Sequence, residues 1–265
     1  MSRNAVSHVT ATMAPYPWQS PVMPDVAPPA RTTAYGIDPA QVYDVRVPTA
    51  DPTGTTVVVV HGGFWKAEWD RAHAAPQAQA FADAGHHVAV VEYRRTGMRG
   101  GGWPGTFADV SAAIDAVVAD PTLPDRCVLV GHSAGGHLVT LAATRPQARA
   151  LAGVVALAGN VDLALVHDLG LGDGAAGAFM GDADDAAWTA ADPAVHPVLT
   201  RLVLIHGEAD DTIPVEVAER FLDRQGPTAG HELVRLPGVG HFELIEPGAP
   251  AFAVVLGAVA RLGGS

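Results

Sequence analysis

Apolar and polar positions alternate in blocks along this chain, and the blocks predict strands and helices in turn. Short apolar or alternating runs predict strands at 42–47, 55–60, 87–91, 127–130, 151–157, 202–206 and 232–236. Longer segments with helical spacing predict helices at 72–84, 107–118, 134–142, 215–223 and 252–261. Because strands alternate with helices, we expect an α/β fold: a doubly wound, mostly parallel sheet with helices on both faces.

Two segments depart from this alternation. Residues 1–34 are rich in proline, which disfavours helices and central strands, so they are predicted to form an N-terminal arm. Residues 159–197 show no strong period and carry many aspartates. A connection of that length often shapes a binding site, so we expect a small cap-like insertion there. The remaining chain, 35–265, is predicted to be a single domain.

The strand at 127–130 leads into the most informative stretch of the sequence. Residues 131–135 read Gly-His-Ser-Ala-Gly, a G-x-S-x-G, and a helical pattern follows at once. A strand, a sharp turn and a helix are the setting that a nucleophile elbow requires. The sequence therefore predicts that Ser133 is a nucleophile at the carboxyl end of the sheet.

A serine hydroxyl needs a base, and that base needs an acid to orient it. In a chain with an elbow serine, the acid follows the serine and the histidine follows the acid. Asp210 comes after the strand at 202–206 and is the predicted acid. Asp211 beside it and Asp162 after the preceding strand remain alternatives.

The predicted base is His241. It follows the strand at 232–236, so it belongs to the carboxyl edge of the sheet, where open α/β sheets place their sites. His231 is the other histidine after Asp210, but it precedes that strand and is expected at the opposite edge.

The negative charge that develops on the substrate oxygen needs hydrogen-bond donors. One predicted donor is the backbone N–H of Ala134, directly after the nucleophile. The others belong to the loop at residues 61–64, His-Gly-Gly-Phe, where glycines let backbone amides face a ligand. Gly63 and Phe64 are the predicted donors of that loop.

Large apolar side chains next to these motifs are candidates for the substrate pocket. The predicted lining residues are Trp65, Phe179, Met180 and Phe242. Packing of the aromatic residues in the core is the alternative, because such residues are usually buried. If they line the pocket, it should be short and prefer acetyl to butyryl esters.

Composition and residue spacing limit the kinds of molecule that this protein is expected to bind. The formal net charge of −12 argues against nucleic-acid binding. No run of signal-peptide or membrane-span length is present, which predicts a cytoplasmic protein without membrane association. The histidines lack the four-residue helical spacing of a zinc protease, so neither a metal nor another cofactor is expected. Oligomeric state is not predicted.

Several motifs together resemble a known group of proteins. They are Tyr35-Gly36 with 41–48, His61 to Trp65, Glu92-Tyr93-Arg94, Trp103-Pro104 with Asp109, 131–137, His206-Gly207 with Asp210 and Ile213-Pro214, and Gly240-His241-Phe242. In these positions the chain resembles the esterase/lipase group of the α/β-hydrolases, and is especially similar to the kynurenine formamidase-like and carboxylesterase branch. The resemblance covers about residues 35–262. It implies a triad of Ser133, Asp210 and His241, with an oxyanion loop at 62–64.

We therefore expect a serine hydrolase that cleaves small carboxylic esters through an acyl-enzyme. Three alternatives remain open at this point. One is an arylformamidase that hydrolyses N-formylkynurenine, another is a non-catalytic binding protein on a hydrolase fold, and the third is a peptidase that acts on short peptides. The expected partner is a small-molecule ester or formamide.

Overall fold

A computed structural model describes residues 26–226 and 230–264 of the chain. Most of the predicted arm, residues 1–25, lies outside that part. The strands are β1 (Arg31–Ala34), β2 (Val42–Arg46), β3 (Thr55–Val60), β4 (His87–Val91), β5 (Arg126–His132), β6 (Gly153–Leu157), β7 (Leu202–Gly207) and β8 (Glu232–Leu236). The α-helices are α1 (Ala75–Asp83), α2 (Gly105–Val118), α3 (Ala134–Ala142), α4 (Leu163–Asp168), α5 (Leu171–Met180), α6 (Asp185–Ala191), α7 (Glu216–Gln225) and α8 (Pro250–Gly263).

The strands form one sheet in the order β1-β2-β4-β3-β5-β6-β7-β8. Pairing is parallel from β4 to β8, and antiparallel between β1, β2 and β4. The carboxyl ends of β3, β5, β6, β7 and β8 therefore meet at one edge. The doubly wound α/β architecture expected from the sequence is confirmed.

Helices cover both faces of the sheet, and this explains the continuous apolar runs of the central strands. All six residues of β3 are buried. On one face α1 and α8 pack together through Phe81 and Phe252, whose ring centroids are 5.5 Å apart. On the other face lie α2, α3 and α7 with the residues of α4 and α5.

The first strand is an addition to the predicted set. Residues Arg31–Ala34 alternate between half-buried and exposed positions and pair antiparallel with β2. They lie at the end of the stretch assigned to the arm. A four-residue polar edge strand has no apolar run to reveal it, since backbone pairing with β2 is what holds it in place.

Residues 159–197, the segment without a strong period, contain three short α-helices, α4, α5 and α6, and a 3-10 turn at Pro193–Val195. Two begin with an aspartate whose carboxylate accepts a hydrogen bond from a helix N–H: Asp162 for α4 and Asp184 for α6. Residues 172–174 near the start of α5 have positive φ. Short helices interrupted by left-handed residues cannot sustain a hydrophobic period, which accounts for the weak pattern in the sequence.

Candidate active site

The strand-turn-helix at 126–142 holds Ser133 in a rare backbone conformation. Ser133 is the single residue between β5 and α3, with φ 54° and ψ −118°. Its N–H donates to the carbonyl of Leu157 at 2.9 Å, which ties the turn to the end of β6. A positive φ in a non-glycine residue is strained, and such strain concentrates at functional sites. The serine is 3 % exposed.

Close packing around this turn excludes side chains at the flanking glycines. A Cβ on Gly135 would lie 2.1 Å from the carbonyl oxygen of Val60, and one on Gly131 would lie 2.2 Å from the carbonyl oxygen of Gly135. The first turn of α3 therefore passes directly against the end of β3. That contact brings the helix N-terminus, with its free N–H groups, beside the loop that follows β3.

The structure joins His241 to Asp210. The Nδ1–H of His241 donates to Oδ2 of Asp210 at 2.7 Å. The other carboxylate oxygen accepts from the backbone N–H groups of Thr212 and Ile213 at 2.9 Å and 2.8 Å. These hydrogen bonds fix the carboxylate. In the neutral imidazole of His241 they place the proton on Nδ1, so the lone pair of Nε2 can accept a proton, as a general base requires.

Asp210 is held in its charged form. Its side chain is fully shielded from solvent, and burial by itself would raise the pKa of the carboxyl. Hydrogen bonds from His206 and His241 and from the Ile213 N–H outweigh that effect and hold the pKa well below its usual value. Nε2 of His206 lies 3.4 Å from Oδ2 of Asp210, the oxygen that also accepts from His241.

The rival residues have other partners. Asp162 accepts from the N–H of Leu165 at the start of α4, and Arg220 lies 3.0 Å from its carboxylate. Asp211 is bound by the hydroxyl of Thr212 at an exposed position. His231 precedes β8 and so lies at the amino edge of the sheet.

The loop after β3 has an unusual run of backbone conformations. Gly63, Phe64 and Trp65 have φ values of 107°, 50° and 56°. The carbonyl of Gly63 accepts from the N–H of Lys66 at 2.9 Å, which closes a tight turn. Gly62 lies beside Ser133, because a Cβ on Gly62 would come within 3.2 Å of Cβ of Ser133. The predicted oxyanion donors therefore sit on a loop that touches the elbow.

A buried charged network supports this loop from below. The hydroxyl of Tyr93 donates to the carbonyl of His61 at 2.7 Å, and the two rings stack at 4.4 Å. Glu92 is buried and lies 3.3 Å from Nε2 of His61 and 3.1 Å from Arg95. Although burial opposes ionisation, these partners and the Arg71 N–H lower the pKa of Glu92 to about 2.

The residues predicted to line the pocket are placed differently from one another. Trp65 is fully buried, stacks on Phe179 at 4.8 Å, and donates from Nε1 to Nδ1 of His137 at 3.3 Å. Met180 is also buried, whereas Phe242 is half-buried with its ring 4.7 Å from His241. Among them, Phe242 is the side chain in direct ring contact with His241, the predicted base.

Two aromatic neighbours of the loop were not singled out by the sequence patterns. A Cβ on Gly63 would lie 2.4 Å from the side chain of Trp69, so that indole packs against the oxyanion loop. His73 contacts Trp69 edge-on at 5.0 Å, and burial lowers the pKa of His73 to about 4, with the nearby His61 and His241 adding to the effect. Trp69 and His73 lie only a few positions after the motif that ends at Trp65. This short separation in the chain is the sequence signal that could have assigned them to the site.

Within the residues that the structure describes, no group of three or more histidine, cysteine or acidic side chains is arranged to hold a metal ion. In the same part of the chain, every helix is too short or too polar to cross a bilayer.

The fold and this edge of the sheet define an α/β-hydrolase. The BD-FAE family model matches residues 43–224, more than half of the chain, and the chain belongs to that family. The match spans β2 to α7 and so includes the elbow and the Asp210 loop.

Similar proteins agree with this class. A probable carboxylic ester hydrolase, LipM, from Mycobacterium tuberculosis is 34% identical over 108 residues, which is 38% of this chain and 25% of LipM. The chain thus matches about a quarter of the length of that relative. A carbohydrate esterase from gut microbiota has a TM-score of 0.74 at 19% identity, covering 90% of this chain and 100% of that one. Esterase B from Lactobacillus rhamnosis has a TM-score of 0.75 at 20% identity, covering 91% and 88%.

Proposed function

We propose that this protein is a carboxylesterase that cleaves small esters through a covalent intermediate on Ser133. The observation that carries the proposal is the strained serine between β5 and α3, at the same sheet edge as a buried His241–Asp210 hydrogen bond. Membership of the BD-FAE family and the likeness to LipM and to solved esterases support it.

The first half of the reaction forms the acyl-enzyme. Nε2 of His241 takes the proton of Ser133 Oγ as Oγ bonds to the ester carbon. The carbonyl electrons move to oxygen, where the backbone N–H groups of Ala134, Gly63 and Phe64 would donate to the negative charge. When the carbonyl re-forms, the bond to the alcohol oxygen breaks and His241 returns the proton to that oxygen.

Water completes the cycle. His241 takes a proton from water, whose oxygen attacks the acyl carbon, and the same oxyanion donors serve again. Collapse releases the carboxylic acid and returns the proton to Ser133 Oγ. Throughout, Asp210 holds His241 in one tautomer and stabilises its positive form, which is the role its low pKa and short hydrogen bond permit.

Two measurements test this function. The purified protein should react covalently with a fluorophosphonate and turn over p-nitrophenyl acetate, and Ser133→Ala should do neither. Absence of labelling in the wild type would favour a non-catalytic binding protein. Faster turnover of N-formylkynurenine than of any p-nitrophenyl ester would favour an arylformamidase, in which the bond cleaved is an amide.

A further inference from the structure

The second residue of the G-x-S-x-G motif, His132, has no step in the mechanism above, yet it lies at the centre of the site. It is the last residue of β5 and is 4 % exposed. Its backbone carries the chain into Ser133, while its imidazole extends to the loop that holds the catalytic histidine.

We propose that His132 is a positioning residue that fixes the His241 loop against the nucleophile elbow. The proposal rests on the function proposed above, because it concerns the distance between Ser133 and its base.

The first contact is a hydrogen bond across the two loops. Nε2 of His132 lies 2.9 Å from the backbone carbonyl oxygen of His241. A carbonyl oxygen only accepts, so Nε2 of His132 carries the proton and donates. This bond joins the residue next to the nucleophile to the backbone of the base itself, 109 positions away in sequence.

Ring contacts add to that bond. The imidazoles of His132 and His241 have centroids 4.5 Å apart, and the ring of Phe242 lies 5.7 Å from His132. His132 therefore restrains the His241 loop both along the backbone and across the face of the catalytic ring. Displacement of a reacting group by about 1 Å can cost about 10²-fold in rate, so a restraint at this point bears directly on turnover.

The same residue also borders the oxyanion loop. A Cβ on Gly62 would lie 2.8 Å from the carbonyl oxygen of His132 and 3.2 Å from its Nδ1. One side chain thus contacts the base loop and the oxyanion loop while its backbone leads into the nucleophile.

The charge state of His132 suits this role. Burial, together with the neighbouring His241, keeps the pKa of His132 well below the usual histidine value. His132 therefore stays neutral while His241 gains a proton during each turnover. A second positive ring 4.5 Å away would oppose that protonation.

Three substitutions separate a positioning role from a packing role. His132→Gln can place an amide N–H near the position of Nε2, whereas His132→Asn ends one bond short, near Nδ1. His132→Leu keeps apolar volume and removes the donor. As a matched control we choose His86→Leu, since His86 is as buried as His132 and its Nδ1 makes a 2.8 Å hydrogen bond with the hydroxyl of Thr53. Both residues directly precede parallel strands, so this contact lies at the amino edge of the sheet, opposite the proposed triad.

For p-nitrophenyl acetate we expect kcat to fall about 10²-fold in His132→Leu and His132→Asn with KM changed less than about threefold. His132→Gln should recover at least about tenfold of that loss, and His86→Leu should keep the kcat of the wild type. Fluorophosphonate labelling rates should follow the same order. Thermal unfolding and circular dichroism establish that each variant is folded.

Equal kcat in the folded His132→Leu variant and the wild type would overturn the proposal. So would equal kcat in His132→Gln and His132→Asn, a comparison that remains available if the leucine variant does not fold. If the wild type itself neither labels nor turns over ester, it is the proposed function that fails.

Discussion

Two regions meet at the carboxyl edge of the sheet and are held in different ways. The loops that carry the proposed triad leave strand ends directly and are fixed by buried charged hydrogen bonds, such as His241–Asp210 at 2.7 Å. The segment formed by α4, α5 and α6, which we call the cap segment, joins them through a few separate contacts. Lys66 donates to the carbonyl of Gly172 at 3.1 Å, Trp65 stacks on Phe179, and His137 donates to the carbonyl of Ala191 at 2.8 Å.

This difference leads us to expect separate roles: the loops at the strand ends carry out the reaction, and the cap segment determines which substrates fit. The sheet imposes the positions of Ser133, His241 and Asp210, the proposed nucleophile, base and acid, because each is within a few residues of a parallel strand end. The cap segment has its own N-terminal aspartates and left-handed turns, so its shape depends on local choices. Changes in the first region should therefore abolish turnover, and changes in the second should alter stability or substrate preference.

The largest effect is expected at the nucleophile. Ser133→Ala should lower kcat/KM for p-nitrophenyl acetate by about 10⁴-fold or more and abolish fluorophosphonate labelling. The fold should persist, since removal of one hydroxyl from a small side chain changes the packing little, and thermal unfolding should coincide with that of the wild type. Labelling that survives in this variant would place the nucleophile elsewhere.

The acid should rank second. Asp210→Asn keeps the shape of the side chain and removes the charge that Nδ1–H of His241 meets, so we expect kcat to fall about 10³-fold. Asp211→Asn is the matched control, because its carboxylate is bound by Thr212 at the surface. Steady-state kinetics on both variants are the measurement. A similar loss in the two would contradict the assignment of Asp210.

The oxyanion loop should rank third. Gly63 has φ 107°, and a Cβ there would lie 2.4 Å from Trp69. Gly63→Ala must therefore shift the loop, and we expect kcat to fall about 10²-fold with a smaller change in KM. Gly54→Ala tests strain alone, since Gly54 has φ 74° and open space around its Cβ position. It should lower stability and leave kcat unchanged.

The two regions also differ in how much of each can be predicted from the sequence. Buried strands with continuous β-branched runs, such as β3, carry a strong local signal, and the G-x-S-x-G turn locates Ser133. Chain order then predicts that Asp210 and His241 approach each other, which the geometry shows. The contact of His132 with the His241 carbonyl has no local signal, because it joins residues 109 positions apart.

The structure of the cap segment cannot be predicted from the pattern of hydrophobic and polar residues. The turn at residues 172–174 depends on backbone angles, and its register against Phe64 and Lys66 depends on packing. Similarly, the sequence leaves open whether Trp65 lines the pocket or packs in the core, and in the fold it donates to His137 and stacks on Phe179. Burial of such a side chain is a tertiary property that neighbouring sequence does not determine.

Acid should weaken the contact between the regions at His137. Its Nδ1 accepts from Trp65 and its Nε2 donates to Ala191, so the neutral ring is required, and burial lowers the pKa of His137 to about 4. The unfolded chain, in which histidine titrates near about 6.5, binds more protons between these values. Stability contributed by this residue is thus present above about pH 6.5 and is lost as the pH falls toward about 4.

The expected size is about 3 kcal/mol across that full window. We would measure urea unfolding at intervals from pH 7 to pH 4.5 for the wild type and for His137→Gln, and compare the slopes of unfolding free energy against pH. The slope should be shallower in the variant. Identical slopes would mean that His137 contributes nothing to the acid sensitivity, and other buried histidines, such as His132, would then account for it.

The smallest effect is expected in acyl-chain preference, which tests whether the cap segment sets the pocket. Phe179 from α5 and Trp65 from the oxyanion loop are each at most 1 % exposed and stack closely, so they fill space beside the elbow. We expect kcat/KM for p-nitrophenyl acetate to exceed that for the butyrate by about tenfold or more, since even one methylene that does not fit an apolar pocket costs roughly 1–3 kcal/mol. Phe179→Ala should shift the maximum toward longer chains. Phe81→Ala, which truncates an equally buried phenylalanine on the opposite face, should lower stability without that shift.

The test is to measure kcat/KM for the p-nitrophenyl esters from acetate to palmitate, below and above the micellar limit. A wild-type maximum at about eight carbons or more, or a rise in rate at the interface, would show that the cap segment opens onto a long acyl groove instead.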